Sequence, residues 1–398
     1  MGFKAKIIEI YKKLTTYDKK LGVIVNGVDN QYPERVDRFI NNSVTAKTCA
    51  KIMKSYLRGR GWGDVNDKVL VNSNTTLQKF TEQVCNSASK QRGFYIHVSY
   101  NANFIPSAYD VLPYSYCRLG KKDDNKYNGK IGFSDKWGED NVKDTDVSFY
   151  DVFNPDKKVV ESQINQAKGN NFVEQVENYK GQILYVNFDD EYIYALSQAD
   201  PVLKDCDSEA QASVYKNRFL RKGYMGQKMI VTKPLVGGLE DYDNDAAKLK
   251  QAESERDAFQ DSIKDCIGAD NNGGVLTLEM QFEDDNIDEM IKVIDIDSNI
   301  TDDAFKHTEE SVFNNILMSF NSLPSGLVRP VNTLFGQSSA AIEQMQRVYQ
   351  ENTSPERDTI EQTIQYLMSI FTNPLKGIEI IPLIEEETNT EEDGTADK

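Results

Sequence analysis

The residues whose types and spacing could do chemistry are carboxylates in the middle of the chain. Asp241, Asp243 and Asp245 alternate as at the start of a calcium-binding loop, where alternate carboxylates point at one cation. However, the position that needs glycine holds Ala246, and the twelfth position, which needs a bidentate glutamate, holds Ala252. The pattern therefore favours a solvated acidic loop over a calcium site.

A second set of carboxylates could be assembled into a two-metal nuclease site, because two metal ions need several carboxylates that converge. The set consists of Glu283, Asp284, Asp285, Asp295 and Asp297. No histidine accompanies them, and the chain has no Walker A sequence, no GxSxG elbow and no HExxH motif. We therefore expect no enzyme, no catalytic residue, no metal site and no cofactor. A metal-dependent carboxylate enzyme acting on nucleic acid stays the alternative.

Cysteine and histidine usage also argues against a metal centre. The five cysteines are odd in number, scattered and never in CxxC spacing, so we expect reduced and mostly buried thiols: Cys49, Cys85, Cys117, Cys206 and Cys266. The two histidines, His97 and His307, have no cysteine or histidine neighbour at ligand spacing. A structural zinc site is not expected.

The charge of the chain is unevenly placed. The net charge is −17, yet residues 1–60 hold 13 Lys and Arg against 5 Asp and Glu. Residues 239–310 hold 22 acidic against 6 basic residues. Acidic surface repels phosphate within the Debye length of about 8 to 10 Å, so the middle of the chain is not expected to grip DNA.

The first 200 residues read as helices followed by strands. Helices are predicted over residues 3–14 and 36–57, with a stop at the glycine cluster 59–63, and from Thr75 or Thr76 to Val84. The glycine cluster is not a phosphate cradle, because no strand precedes it. Strands are predicted at residues 94–100, 108–113, 131–133, 147–153, 181–186 and 192–194, which makes an α+β block.

The rest of the chain alternates helices with short strands. We predict a helix over 208–222, a strand at 228–232, a polar helix over 245–267 and strands at 275–282 and 290–296. An amphipathic helix behind Thr301 stops at residues 323–326, and a loop runs to Gly336. Ser338 or Ser339 caps the next helix, Ser354 and Pro355 open another, and a strand at 378–384 closes the fold.

These elements carry a family resemblance. The long helix, the loop, a helix beginning with residues 338–344 (SSAAIEQ) and then residues 355–361 (PERDTIE) resemble the C-terminal part of tailed-bacteriophage portal proteins. Residues 112–120 (LPYSYCRLG), after a strand pair, look like the wing domain of that family, although alone they fit a generic hairpin equally well. A helix after Ala199 and Pro201 is similar to the portal helix ahead of the clip.

The resemblance implies an α+β, portal-like fold with a wing α/β domain, a helical stem, an α/β clip insertion and a short helical crown. The implied segments are the following: wing, with helices and then an antiparallel sheet, 1–200; first stem helix, 201–223; acidic clip-like insertion, 224–299; second stem helix, 300–322; tunnel loop, 323–338; crown and closing wing strand, 339–384; disordered acidic tail, 385–398.

The resemblance also implies a function. Portal proteins form a ring, of twelve subunits in this family, at one capsid vertex, and double-stranded DNA is packaged and ejected through it. The expected partners are further copies of the chain, the DNA, the major capsid protein, the terminase large subunit and a head-tail connector. No stretch approaches the roughly 18 to 20 apolar residues of a membrane span, so we expect no membrane partner. We expect assembly in the host cytoplasm and residence in the virion.

The candidate DNA-channel residues lie in the loop between the two C-terminal amphipathic helices. They are Arg329, Asn332, Thr333, Gln337 and Ser338. Small polar side chains around one arginine can touch backbone phosphates without reading bases. We therefore predict that this loop lines the narrowest part of the channel.

Overall fold

The computed structural model describes residues 16–121, 129–139, 141–189, 191–221, 228–232, 236, 245–265, 291–295, 302–329 and 339–384. The chain divides into two compact units, one made of Met1–Asp207 and Val312–Lys398 and the other of Ser208–Ser311. Both ends of the chain therefore build the first unit, which we call unit 1, and the middle builds the second, which we call unit 2.

Unit 1 begins with a short strand pair and three helices. Their bounds are β1 (Tyr17–Asp18), β2 (Val23–Ile24), α1 (Tyr32–Asn42), α2 (Val44–Arg58) and α3 (Leu77–Gln91). The single helix predicted over 36–57 is wrong, because Ser43 is extended (φ −88°, ψ 123°) and its hydroxyl accepts the N–H of Ala46. A serine that caps a helix takes non-helical angles, so one periodic apolar stripe spans two helices.

The other helix ends follow the predicted signals. Thr76 caps α3 and accepts the N–H of Lys79 at 3.4 Å. Gly59, with φ 59°, ends α2, and a Cβ atom at this position would lie 2.2 Å from the carbonyl oxygen of Ile381. Both the left-handed angle and the close approach require glycine there.

A mixed sheet follows, with two helices between its last two strands. The bounds are β3 (Gly93–Tyr100), β4 (Pro106–Leu112), β5 (Cys117–Leu119), β6 (Ile131–Phe133), β7 (Ser148–Val152), α4 (Lys157–Asn165), α5 (Phe172–Asn178) and β8 (Gln182–Asn187). The six strands lie in the order β4-β3-β8-β7-β6-β5. The strands predicted between residues 94 and 186 are confirmed, and β5 was not predicted.

Two predictions about this sheet are wrong. The sheet is not wholly antiparallel, because β7 and β8 pair in parallel. Parallel neighbours need a long crossover connection, which α4 and α5 supply and which the sequence analysis missed. Residues 192–194 form no strand; instead the hydroxyl of Tyr194 donates to the carbonyl of Ile24 at 2.7 Å. That hydrogen bond attaches residues 192–194 to the strand β2.

One fully buried arginine ties this sheet to the N-terminal segment. Arg118 is 0% exposed, and its Nε and Nη2 donate to the side-chain and backbone oxygens of Asn30, both at 2.6 Å. Its Nη1 donates to the carbonyls of Ser115 and Cys117, and Glu34 Oε1 lies 3.5 Å from Nη2. Burial raises the pKa of Glu34, and the charge of Arg118 opposes that rise. Buried charge is tolerated here because its donors are satisfied.

Within unit 2, the structure describes two strands and one helix, together with parts of the two helices that cross its boundaries. α6 (Leu203–Arg221) enters it, and it contains β9 (Lys228–Thr232), α7 (Ala246–Asp265) and β10 (Ile291–Asp295). β9 and β10 pair antiparallel, which confirms the strands predicted at 228–232 and 290–296. Lys216 of α6 forms an ion pair with Glu309 inside this unit. The strand predicted at 275–282 and the tail 385–398 lie outside the described residues, as does the helix predicted at 3–14.

The C-terminal part returns to unit 1 through four helices. They are α8 (Asp302–Ser319), α9 (Ser325–Val328), α10 (Ser339–Asn352) and α11 (Ser354–Ser369). The strand predicted at 378–384 is wrong, since Ile381 forms only one bridge, to Gly61. Pro382 lacks an N–H donor, and the partner segment turns at its glycines, so the ladder stops after one step.

The returning helices share one core with the N-terminal half. The hydroxyl of Tyr109 in β4 donates to the carbonyl of Leu367 in α11 at 2.6 Å, and the rings of Tyr56 and Tyr349 meet edge to face at 4.9 Å. Four cysteines are buried thiols, as expected: Cys49, Cys85, Cys117 and Cys206. Among the described helices, none is long and apolar enough to cross a membrane.

Arg118 should be a principal anchor of unit 1. We expect Arg118→Ala to lower the free energy of unfolding by about 3–5 kcal/mol, because Glu34 and three carbonyls would lose their cation. The control is Arg35→Ala, which removes the exposed ion pair to Asp29 (2.9 Å) and should cost about 0–1 kcal/mol. Urea unfolding followed by tyrosine fluorescence measures both. Equal losses in the two variants would contradict the anchoring role.

Candidate nucleic-acid interface around Arg329

The segment that leads to Arg329 starts where α8 ends. Asn321 and Ser322 both have left-handed angles (φ 53° and 52°), which stop the helix. The N–H of Ser322 donates to Met318 and that of Leu323 donates to Leu317, at 3.2 and 3.0 Å. The predicted stop at 323–326 therefore lies a few residues too late. Residues 325–328, which were predicted to belong to the helix stop and the tunnel loop, form the single turn α9.

Asn321 holds this helix end against two other parts of unit 1. Its Oδ1 accepts from Gln198 Nε2 at 2.5 Å, and its Nδ2 donates to the carbonyl of Asn352 at 3.1 Å and to Glu356 Oε1 at 3.3 Å. Asn352 Nδ2 donates back to the carbonyl of Asn321, and the hydroxyl of Ser319 donates to the carbonyl of Gln198. Asparagine suits this position because it tolerates the left-handed region and supplies both donor and acceptor.

Arg329 lies at the end of α9, where its N–H donates to the carbonyl of Ser325 at 2.8 Å. Its Cζ atom is 3.9 Å from the centroid of the Phe313 ring, and Phe313 itself is buried (8% exposed) while Arg329 is exposed. Within the described ranges, the guanidinium makes no side-chain hydrogen bond or ion pair. A guanidinium held by its face keeps its N–H donors at the edge, where a phosphate can be bound by two of them.

Of the five predicted channel residues, only Arg329 lies in the described part of the chain. Asn332, Thr333, Gln337 and Ser338 lie outside the described residues, so their role stays a prediction. Phe313 was not predicted as part of this site, because its spacing places it in the apolar stripe of α8. The arginine–phenylalanine contact depends on the turn of α9, and no local sequence signal predicts that turn.

Most of the carboxylates considered as calcium or two-metal ligands lie outside the described residues. Of their members, only Asp245 and Asp295 are described, and the described residues contain no group of three or more His, Cys, Asp or Glu side chains placed to hold a metal ion. His97 Nε2 lies 2.6 Å from the carbonyl oxygen of Lys180. This histidine therefore ties β3 to the segment ahead of β8.

Comparison with known proteins gives a fold and no family. No protein-family model matches the chain, and no curated protein matches it. Among solved structures, a chain of the virion of a native gene transfer agent particle is similar, with a TM-score of 0.50, 12% identity, and 90% of this chain and 86% of that chain covered. Chains from the neck of the native particle (TM-score 0.48) and of the empty particle (0.47) are each 11% identical. The first likeness shows that this chain shares the fold of a virion component.

Asn321 should matter for stability through both its bonds and its backbone angle. We expect Asn321→Gly to lower the free energy of unfolding by about 1–3 kcal/mol, since glycine keeps the angle and loses the hydrogen bonds. Asn321→Ala should lose about 1–2 kcal/mol more, because alanine disfavours the left-handed region. Denaturant titration of the two variants separates the contribution of the hydrogen bonds from that of the backbone angle.

The control is Ser322→Gly at the neighbouring left-handed position. Its side chain is not part of the Asn321 hydrogen bonds, so this variant should be as stable as the wild type or slightly more stable. If Asn321→Gly matched the stability of Ser322→Gly, the hydrogen bonds of Asn321 would contribute nothing.

Proposed function

We propose that this chain is a portal-type subunit, which forms a homo-oligomeric ring at one capsid vertex and passes double-stranded DNA during packaging and ejection. The observation that carries the proposal is the fold likeness to a virion chain, which extends over 90% of this chain and 86% of the other. The order of elements in the sequence supports the same reading. The proposed role is structural rather than enzymatic.

Arg329 is the residue that we propose faces the DNA. In a closed ring each subunit contributes one copy, so the channel would carry a girdle of arginines. Contacts to phosphate are independent of sequence, which suits a channel that must accept any DNA. Each cation that neutralises a phosphate also slows sliding, so one basic residue per subunit within a chain of net charge −17 favours passage over retention.

The finer features of the proposal rest on the family resemblance. They are twelve subunits, contact with the major capsid protein through the wing, and docking of the terminase large subunit and a head-tail connector through the acidic insertion 224–299. An acidic surface is costly beside other acidic copies, so part of it should face solvent or a cationic partner. No specific observation favours the alternative, a carboxylate-dependent nuclease.

Ring formation and the Arg329 girdle can be tested together. Electron microscopy of the purified protein should show rings with a central channel. Arg329→Ala should keep the rings and alter DNA packaging or retention, because it removes the phosphate contact and only the exposed cover of the Phe313 ring. Packaged DNA per particle measures the effect.

The matched control is Arg38→Ala. Arg38 is also exposed and also lies over a phenylalanine ring, that of Phe39 at 5.3 Å, but it belongs to α1. This variant should package normally. Loss of rings in Arg329→Ala would mean that the segment is structural, and a protein that stays monomeric beside capsid protein would refute the portal proposal.

The partner contacts of unit 2 give a separate test. Deleting residues 239–274 removes ten acidic residues against four basic ones and leaves unit 1 its own core, so unit 1 should stay folded. Binding of terminase or connector, measured by co-sedimentation, should be lost. Unimpaired packaging by the deletion variant would count against the clip assignment.

A further inference from the structure

Unit 1 contains a cleft that the proposed DNA channel does not use. It has a volume of about 590 Å³ and lies between α3 and the end of β4, with one residue each from α1 and α2 at its border. The α3 wall is polar (Gln83, Asn86, Ser87), and the opposite wall is the apolar run Val111, Leu112 and Pro113. All of its residues belong to the described part of unit 1.

One wall of the cleft is the edge of the six-stranded sheet. β4 is the terminal strand of the order given above, so one side of its backbone faces away from β3. At Tyr109 that side is covered, because its N–H donates to Val71 at 3.0 Å and its carbonyl accepts from Asn72 at 3.2 Å. The outward backbone groups of β4 are therefore already hydrogen-bonded within the chain at Tyr109, two residues before Val111, which borders the cleft.

Val111 presents the next outward pair of backbone groups. The register with β3 is regular from residue 109 to 112, so Val111, two residues after Tyr109, also points its N–H and carbonyl away from β3. Val111 borders the cleft, and among the described residues no group outside β3 is hydrogen-bonded to it. The cleft therefore contains a donor and an acceptor at the spacing of a sheet edge.

One atom of a buried side chain in the wall of the cleft has no hydrogen-bond partner among the described residues. Gln91 is 2% exposed, and its Nε2 donates to the carbonyl of Pro33 at 3.0 Å. Its Oε1 accepts no hydrogen bond from any described residue, although leaving a buried acceptor unpaired costs about 1–3 kcal/mol. This oxygen is shielded from solvent, so it is a feature of the cleft wall and not a contact for the occupant.

The charge of the cleft favours an acidic occupant. Lys54 pairs with Glu82 at 2.7 Å, which leaves Lys79 and Lys90 against the single carboxylate of Asp37. Three lysines thus face two carboxylates in this cleft, whereas the chain as a whole carries a net charge of −17. One copy therefore offers a basic cleft, and another offers acidic surface. Such unlike faces associate head to tail, which is the contact that closes a ring.

We propose that this cleft receives an extended, acidic segment of a neighbouring copy, which adds a strand to β4 at Val111 and places a carboxylate between Lys79 and Lys90. The proposal rests on the ring described under the proposed function and names one of its subunit contacts. Strand addition draws its affinity from backbone hydrogen bonds and its specificity from the side-chain pockets beside them.

Hydrogen exchange of the native protein tests the backbone contact. In separated monomer and ring fractions, the amide of Val111 should exchange at least about tenfold more slowly in the ring, because it gains an acceptor there. The amide of Tyr109 is an internal reference, since its bond to Val71 exists within one chain. Equal exchange of Val111 in rings and monomers overturns the proposal while the ring stands. If the wild type forms no ring at all, the proposed function fails and this contact fails with it.

Substitution at the same position tests its importance for assembly. Val111→Pro removes the outward N–H at an edge strand, where proline is tolerated, and should reduce the ring fraction at least about tenfold. Val111→Thr keeps the N–H and the branched shape and should assemble like the wild type. Equal assembly of both variants, or equal loss in both, would overturn strand addition.

Charge reversal tests the acidic nature of the occupant. Lys79→Glu and Lys90→Glu should each weaken assembly by about tenfold, with the effect reduced at high salt. Lys47→Glu is the matched control, because Lys47 is an exposed residue of α2 that does not border the cleft. The same loss in the control and in the two cleft variants would rule out a specific carboxylate contact.

Discussion

The structure depends on the shared core of the two chain ends. Because Met1–Asp207 and Val312–Lys398 form one unit, the chain must leave it and return to it within the reach of side chains. The return is fixed by polar contacts: Asn315 Nδ2 lies 3.1 Å from Asp205 Oδ2, and Asn321 bonds Gln198. These bonds set where α8 ends, and the end of α8 sets where α9 and Arg329 begin. A residue proposed to face DNA is thus positioned by the packing of unit 1 and not by the middle of the chain.

The same core also shapes the sheet edge. The hydroxyl of Tyr109 donates to the carbonyl of Leu367, and its backbone N–H and carbonyl bond residues 71 and 72. These hydrogen bonds hold the centre of β4 in place. Only the end of the strand, at Val111, is left beside the cleft. A closed edge would exclude a neighbouring copy, and a long open edge would invite aggregation. Among the described residues, no group is hydrogen-bonded to the outward side of Val111, and the bordering lysines would restrict which partners could pair there.

Sequence periodicity predicted most helices and strands of unit 1, because their apolar faces are buried in its hydrophobic clusters. It failed where a tertiary contact overrides the local pattern. Ser43 divides one apolar stripe between two helices, and the crossover through α4 and α5 makes β7 and β8 parallel where an antiparallel sheet was predicted. At the candidate site, Arg329 was predicted from its place between two helices. Its contact with Phe313 could not be predicted, since that pair meets only after two left-handed residues and a single helical turn.

Two arginines show how the surroundings of a cation decide what it can do. Arg118 directs its N–H groups to Asn30, Ser115, Cys117 and Glu34 and is buried, so its charge serves the fold. Arg329 instead rests its face on the neutral ring of Phe313. An aromatic platform restrains a guanidinium without neutralising it, whereas a carboxylate would do both. In a chain with 63 acidic residues against 46 basic ones, an exposed arginine held by an aromatic ring keeps its charge for an outside anion. That physical difference is what makes Arg329, and not Arg118, a candidate for contact with phosphate.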